Sequence, residues 1–245
     1  MNKKKKVILV SGASYGIGRA IATQFAAKGY HPVLIARSED GLAETKANID
    51  AKGGECTVLC VDLKNYSEVE SSLNKLASEL GKFDCLWSGA FGYLEGETSA
   101  SKVEEVQDIF DAGVIGAIHL TKQFLNHAAD NPNVFIVAAD WNFPENKGLT
   151  AFISAKKALE GFGLALQKEL HGKAKIYVVC PADVSSHSHP FDAEPDLVKE
   201  ETAGSAIATI ELAQLCYSFT EYETLFLPKI YIHPLSQKYS VTYSI

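Results

Sequence analysis

The sequence predicts an α/β fold: a doubly wound parallel sheet of about seven strands, covered by helices on both faces in three layers, forming one domain over residues 1–245. Two observations carry this. Apolar runs and stretches of helical period alternate along the chain, as right-handed β–α–β crossovers require. The first run, Val7-Ile8-Leu9-Val10, is short, β-branched and uninterrupted by polar residues, which fits a strand buried on both faces. It passes through Ser11-Gly12-Ala13-Ser14-Tyr15-Gly16-Ile17-Gly18 directly into a helical pattern.

Taken in order, Ile17 to Lys28 is expected to be a helix closed by Gly29, and Val33 to Ala36 the second strand. A helix from Glu39 to Lys52 stops at Gly53-Gly54, and a third strand runs from Cys56 to Val61. Tyr66 to Leu80 is helical and closes at Gly81. Phe83 to Trp87 is the fourth strand. A long helix over about Lys102 to Ala128 leads to a strand at Val134 to Ala139. The pattern then predicts a helix from Thr150 to Leu170 and a strand from Lys175 to Cys180. Residues 182–200 read as a polar, mobile loop. A helix near Ala206 to Phe219 and a strand from Leu225 to Ile232 complete the count.

Composition narrows the function. The net charge of −7 argues against a nucleic-acid surface, which needs clustered positive charge. The lysines of Met1-Asn2-Lys3-Lys4-Lys5-Lys6 read as a solvated leader, because the apolar run behind them is too short for a signal core. No run reaches membrane-spanning length. Five cysteines, odd in number and without CxxC spacing, suit free thiols in the cytoplasm.

Chemistry enters at the glycine loop. Glycines at 12, 16 and 18 let the backbone turn sharply and let a ligand come close, while the new helix aims free N–H groups at the same spot. This is the geometry for a pyrophosphate, so a dinucleotide is expected. Where the second strand ends the chain reads Ala36-Arg37-Ser38. A carboxylate there would take ribose hydroxyls, whereas an arginine accepts a 2′-phosphate; NADP(H) is therefore expected over NAD(H). Glu39 and Asp40 follow closely and oppose that contact.

With these pieces in place, the chain resembles the short-chain dehydrogenase/reductase family along essentially its whole length. The loop from Ser11 to Gly18 is similar to the family's TGxxxGxG element, and Asp62-Leu63 to its adenine-contacting aspartate after the third strand. Pro181, followed by Ala182, resembles its Pro-Gly element. The resemblance implies a Rossmann-type sheet, a nicotinamide cofactor, hydride exchange with a carbonyl or alcohol, and a homodimer or homotetramer built on the two long helices. Cofactor contacts are then expected at Gly12, Ser14, Tyr15, Gly16, Ile17, Gly18, Arg37, Asp62, Leu63, Ser88, Gly89, Ala90, Lys156, Pro181 and Val184.

Four departures stand out. The family's Asn-Asn-Ala-Gly turn is Ser88-Gly89-Ala90-Phe91 here. Its helix asparagine falls on Gly113, its carbonyl-orienting serine on Ala139, and its Tyr-x-x-x-Lys becomes Phe152-Ile153-Ser154-Ala155-Lys156. Phenylalanine has no proton to give. Losing a general acid costs about 10²–10⁴ in rate, and losing one oxyanion donor about 10²–10³. No tyrosine lies between Tyr93 and Tyr177, so no shift of register restores one.

Lys156 shares a helix face with Phe152 and is expected to point inward and hold the nicotinamide ribose; Lys157 reads as the exposed neighbour. Substitute acids are sought in Asp140, at the carboxyl end of a strand, and in Tyr93, in a loop bordering the nicotinamide. Helix capping and plain pocket lining are their ordinary alternatives. His187-Ser188-His189 is placed to fold over substrate, but no third ligand supports a metal. Trp141, Phe143 and Phe152 give the region an apolar character, suited either to a filled pocket or to an apolar substrate.

Three functions follow: an NADP(H)-dependent oxidoreductase with a rebuilt proton donor; an inactive cofactor-binding regulator, scaffold or partner subunit; and non-redox chemistry on the same scaffold.

Overall fold

A computed structural model describes residues 4–140, 147–223 and 226–234. Seven strands form one fully parallel sheet: β1 (Val7–Ser11), β2 (His31–Ala36), β3 (Thr57–Cys60), β4 (Phe83–Ser88), β5 (Ala128–Val137), β6 (Lys175–Pro181) and β7 (Lys229–Ile232). Their order across the sheet is β3-β2-β1-β4-β5-β6-β7. The direction of growth reverses at β1, and the crevice beside its carboxyl end is where sheets of this kind take ligands.

Among the described residues there are eight α-helices: α1 (Gly16–Ala27), α2 (Glu39–Ala51), α3 (Tyr66–Leu80), α4 (Val103–Ile109), α5 (Gly116–Asn126), α6 (Thr150–Glu169), α7 (Pro195–Glu201) and α8 (Thr209–Thr220). Strand β1 feeds both faces. Ile8 and Val10 join Ile21, Phe25 and Leu212 in one apolar cluster, whereas Val7 and Leu9 join Leu73, Leu120 and Leu159 in the other. A strand that must be apolar on both sides reads as an unbroken run, which is why β1 is legible.

Three expectations need correction. The single long helix over Lys102 to Ala128 is α4 and α5 joined by a π-helical segment, Phe110–Ile115, and Ala128 already belongs to β5. Gly113 lies in the wider π turn, where the missing side chain leaves room for an aromatic ring from outside. Residues 182–200 are not one irregular loop: Ser185–His187 forms a 3₁₀ turn, and α7 follows with Pro195 in its first turn. The last strand starts at Lys229 rather than Leu225, which lies outside the described residues, as do Met1–Lys3, Trp141 and Phe143.

Candidate active site

The glycine loop is rigid. Gly12 takes φ +77°, and a Cβ there would sit 3.1 Å from the Ala90 backbone. Its N–H donates to Ile35 O at 2.9 Å, tying the loop to β2. The Ser11 hydroxyl accepts from Gly89 N and Ala90 N at 3.0 and 3.2 Å, tying it to the turn after β4. Gly18 approaches the Gly12 carbonyl so closely that a Cβ would lie 2.1 Å from that oxygen. Arg19 points back under the loop, donating to the Ser14 and Gly41 carbonyls and to Thr45 Oγ1, and pairing with Glu44. It is a brace for the loop and α2.

Tyr15 provides no side-chain cap for α1, and the first turn of α1 holds no acid. The leading N–H groups of the helix therefore face the crevice without an anionic partner from their own helix. Two cavities meet there. The larger, about 670 Å³, is lined by the glycine loop, Trp87, Gly89, Phe91, Tyr93, Val137 to Asp140, Phe152, Lys156, Pro181 and Val184. The smaller, about 340 Å³, is lined by Ala36, Arg37, Ser38, Asp62, Leu63 and Ala90. Both include Gly12, Ser14, Phe91 and Gly92, so together they make one bent cleft of two halves. A glycine cradle that a Cβ would fill, open N–H groups and a cleft with two halves fit a dinucleotide.

In the smaller half the exposed Arg37 guanidinium lies 3.9 Å from Asp62. An exposed pair of this length contributes little, so an arriving phosphate has little to displace. Asp62 also accepts from Lys64 N at 3.0 Å. Ser38 caps α2 through Gly41 N, so Glu39 and Asp40 fall in that helix's first turn. Of the expected contacts, Ser88 is the exception: it is buried at the end of β4 and lines neither cavity.

The larger half is built differently. Lys156 is 6 % exposed; its Nζ donates to Val137 O at 3.1 Å and lies 4.0 Å from the centre of the Phe91 ring. No carboxylate among the described residues stands within ion-pair distance of it. Burial pushes its amine from the ordinary 10.5 down to about 7, with the Cys180 thiol opposing slightly. The Phe91 ring face offsets part of that, since it favours the cation.

Phe91 also explains Gly113. A Cβ at Gly113 would lie 2.5 Å from that ring, so the helix position is glycine because the ring occupies its space. Phe152 packs edge-on to Phe91 at 5.3 Å and meets Tyr93 at the same distance. Phe91, Phe152 and Tyr93 thus form one aromatic cluster on this wall.

Of the candidate acids, Tyr93 is 63 % exposed and donates to Glu95 at 3.0 Å. Partial burial, and then that bond, push its phenol up, which makes it the weaker donor. Asp140 is 4 % exposed and lines the larger cavity beside Ala139. Its Oδ2 lies 3.1 Å from His233 Nε2. His233 was not among the residues picked from sequence; its position just past the carboxyl end of β7 is the one available signal. His187 lines the cavity, its ring 5.7 Å from Tyr15, whereas His189 is bonded to Glu201 at 2.8 Å. Lys157 pairs with Glu160 on the surface.

Comparison with known proteins agrees with this geometry. Residues 6–193 match the family model described as short chain dehydrogenase. The chain is 27% identical over 173 residues to a fatty acyl-CoA reductase of Acinetobacter baylyi, covering 69% of this chain and 59% of that protein. It thus spans about three fifths of that relative's length. It is 28% identical over 211 residues to the human 3-oxoacyl-[acyl-carrier-protein] reductase, covering 85% and 88%. Among solved structures, an alcohol dehydrogenase from Thermococcus sibiricus complexed with 5-hydroxy-NADP superposes with a TM-score of 0.82 at 21% identity, covering 96% and 98% of the two chains. That last likeness concerns the fold alone.

Proposed function

This chain belongs to the short chain dehydrogenase family, and from that premise we propose that it binds NADP(H) in the bent cleft and interconverts a small apolar carbonyl compound and its alcohol. The carrying observation is the glycine cradle at Gly12 and Gly18, kept free of side-chain caps and opening on both halves of the cleft. The N–H groups of Gly16 to Gly18 hold the pyrophosphate, Arg37 takes the 2′-phosphate, Asp62 and Leu63 border the adenine, and Lys156 with Pro181 and Val184 borders the nicotinamide ribose. NADP-complexed relatives of the same fold support that preference. When bound, the nicotinamide supplies or accepts a hydride.

The protein's own task is then the proton. Phe152 carries none, and Tyr93 is committed to Glu95. Asp140 is the buried carboxyl on the cavity wall, with His233 behind it, and in this reading it gives or takes the proton at the substrate oxygen. Phe91 and Phe152 exclude water and select an apolar substrate. The exposed Val103 and Ile115, flanking the α4–α5 break, suit the same helices to pairing with a second copy. The reading takes residues 1–245 as one unit.

Calorimetric titration with NADP⁺ and NAD⁺, followed by NADPH oxidation over a panel of apolar aldehydes and ketones, tests it. Asp140→Asn is expected to lower turnover by about 10²–10⁴ while leaving nucleotide affinity in place. A second reading, a nucleotide binder without turnover, draws on the Phe91 ring lying over Lys156. It is recognised by tight binding with no NADPH oxidation over the panel.

A further inference from the structure

Lys156 has features that ribose binding does not use. A cation destined only to hold hydroxyls is best kept charged, by a carboxylate or by water. Here the amine is buried on α6, its one hydrogen bond among the described residues goes to the Val137 carbonyl, and no described carboxylate pairs with it. Burial without a counter-ion disfavours the ammonium, and the Phe91 ring face at 4.0 Å offsets only part of that. The neutral amine uses one N–H on Val137 and keeps a second N–H and a lone pair. It stands on the wall of a cavity of about 670 Å³, with Val137, Ala139, Leu149 and Phe152 around it. The other titratable groups on that wall are Tyr15, Tyr93, Glu95, Asp140, Lys147, Asp183 and His187, and the Cys180 thiol of β6 also acts on the amine.

We propose that Lys156 is a nucleophile that captures an apolar aldehyde as a covalent imine in the nucleotide-free cleft. The amine lone pair forms the N–C bond to the carbonyl carbon, and the nitrogen passes one of its protons to the carbonyl oxygen by way of solvent. The carbinolamine then loses that hydroxyl as water with a proton from solvent, C=N replaces C=O, and the nitrogen returns its remaining proton to solvent. One water leaves, and nothing is oxidised or reduced. The imine draws electrons from the neighbouring carbon, which is the entry to isomerisation or elimination rather than hydride transfer. The inference goes beyond the redox reading and needs only the amine and the cavity.

The test uses the full chain without nucleotide, treated with hexanal and sodium cyanoborohydride at pH 7.5, then digested and mapped by mass spectrometry. Lys46 and Lys64 are held above the ordinary lysine value by their hydrogen bonds to Asp50 and Asp108. Hexyl incorporation at Lys156 is therefore expected to exceed that at any other lysine by roughly 10-fold or more. Its rate should level off slightly above pH 7, while that of Lys46 and Lys64 keeps climbing. Lys156→Arg should remove that one adduct and leave the others unchanged. Hexyl groups spread over surface lysines with Lys156 bare would overturn the proposal, as would a Lys156 rate that climbs in parallel with the rest. Saturating NADP⁺ should protect Lys156 about 10-fold. An adduct at Lys156 without that protection leaves carbonyl capture standing and instead removes the ribose-binding role, so the two readings fail separately.

Discussion

The two halves of the cleft share Gly12 and Phe91, yet they are built from different material. Around the glycine loop the working parts are mostly backbone: a carbonyl 2.1 Å from where a Cβ would sit and helix N–H groups without a cap, joined by one exposed arginine side chain in a weak ion pair. Around Lys156 they are side chains: the Phe91 and Phe152 rings, a buried amine, and Asp140 beside His233. Backbone recognition depends on a few glycines and tolerates change elsewhere. Side-chain chemistry changes with each substitution. The two halves therefore respond to different substitutions.

The sharpest way to break the contrast is Gly18→Val. Its Cβ meets the Gly12 carbonyl, which cannot retreat without moving β1. A loss of at least about 3 kcal/mol in chemical denaturation is expected, with nucleotide affinity falling beyond detection by calorimetry. An unchanged affinity would mean that the loop is not the binding element.

The next effect belongs to the other half. Unfolded, Lys156 keeps its proton to about pH 10.5, whereas in the fold it releases it at about 7. Between those values the unfolded chain holds more protons, so rising pH favours the folded state. Relative to Lys156→Met, wild-type stability should rise by about 1.4 kcal/mol per pH unit, or roughly 2.5 kcal/mol from pH 7.5 to 9.5. A flat difference would show the amine to be charged, and the two halves to be more alike than described.

A smaller effect probes how the aromatic cluster is fitted. Gly113→Asn should cost about 2 kcal/mol by driving its side chain into the Phe91 ring, and Phe91→Ala in the same chain should recover much of that loss. Thermal melts of the two single variants and the double variant measure the coupling. Additive losses would separate Gly113 from Phe91. Smallest of all, Arg37→Ala should weaken NADP⁺ by about tenfold, near 1.4 kcal/mol, and leave NAD⁺ unaffected in paired titrations.

Much of this was legible beforehand for physical reasons. Strand β1 must be apolar on both faces, and the turn after it must be glycine, so local sequence carries both. Lys156 could be placed inward because Phe152 lies one turn before it on the same face. The break between α4 and α5 escaped notice because the residues of the π segment keep a helical pattern while the hydrogen bonding shifts by one. Residues 182–200 looked irregular because their polar composition hides two turns of structure that are held by contacts with distant chain.

By itself the sequence determined the wound parallel sheet and the glycine loop that opens the first helix, since each depends on which residues follow one another. Only the tertiary structure decided that Phe91 fills the space at Gly113, that Lys156 is buried without a described counter-ion, and that His233 reaches Asp140. Those depend on packing between segments far apart in the chain. Burial and distance, which set whether an amine is charged or a carboxyl is shared, exist only after the chain has closed on itself.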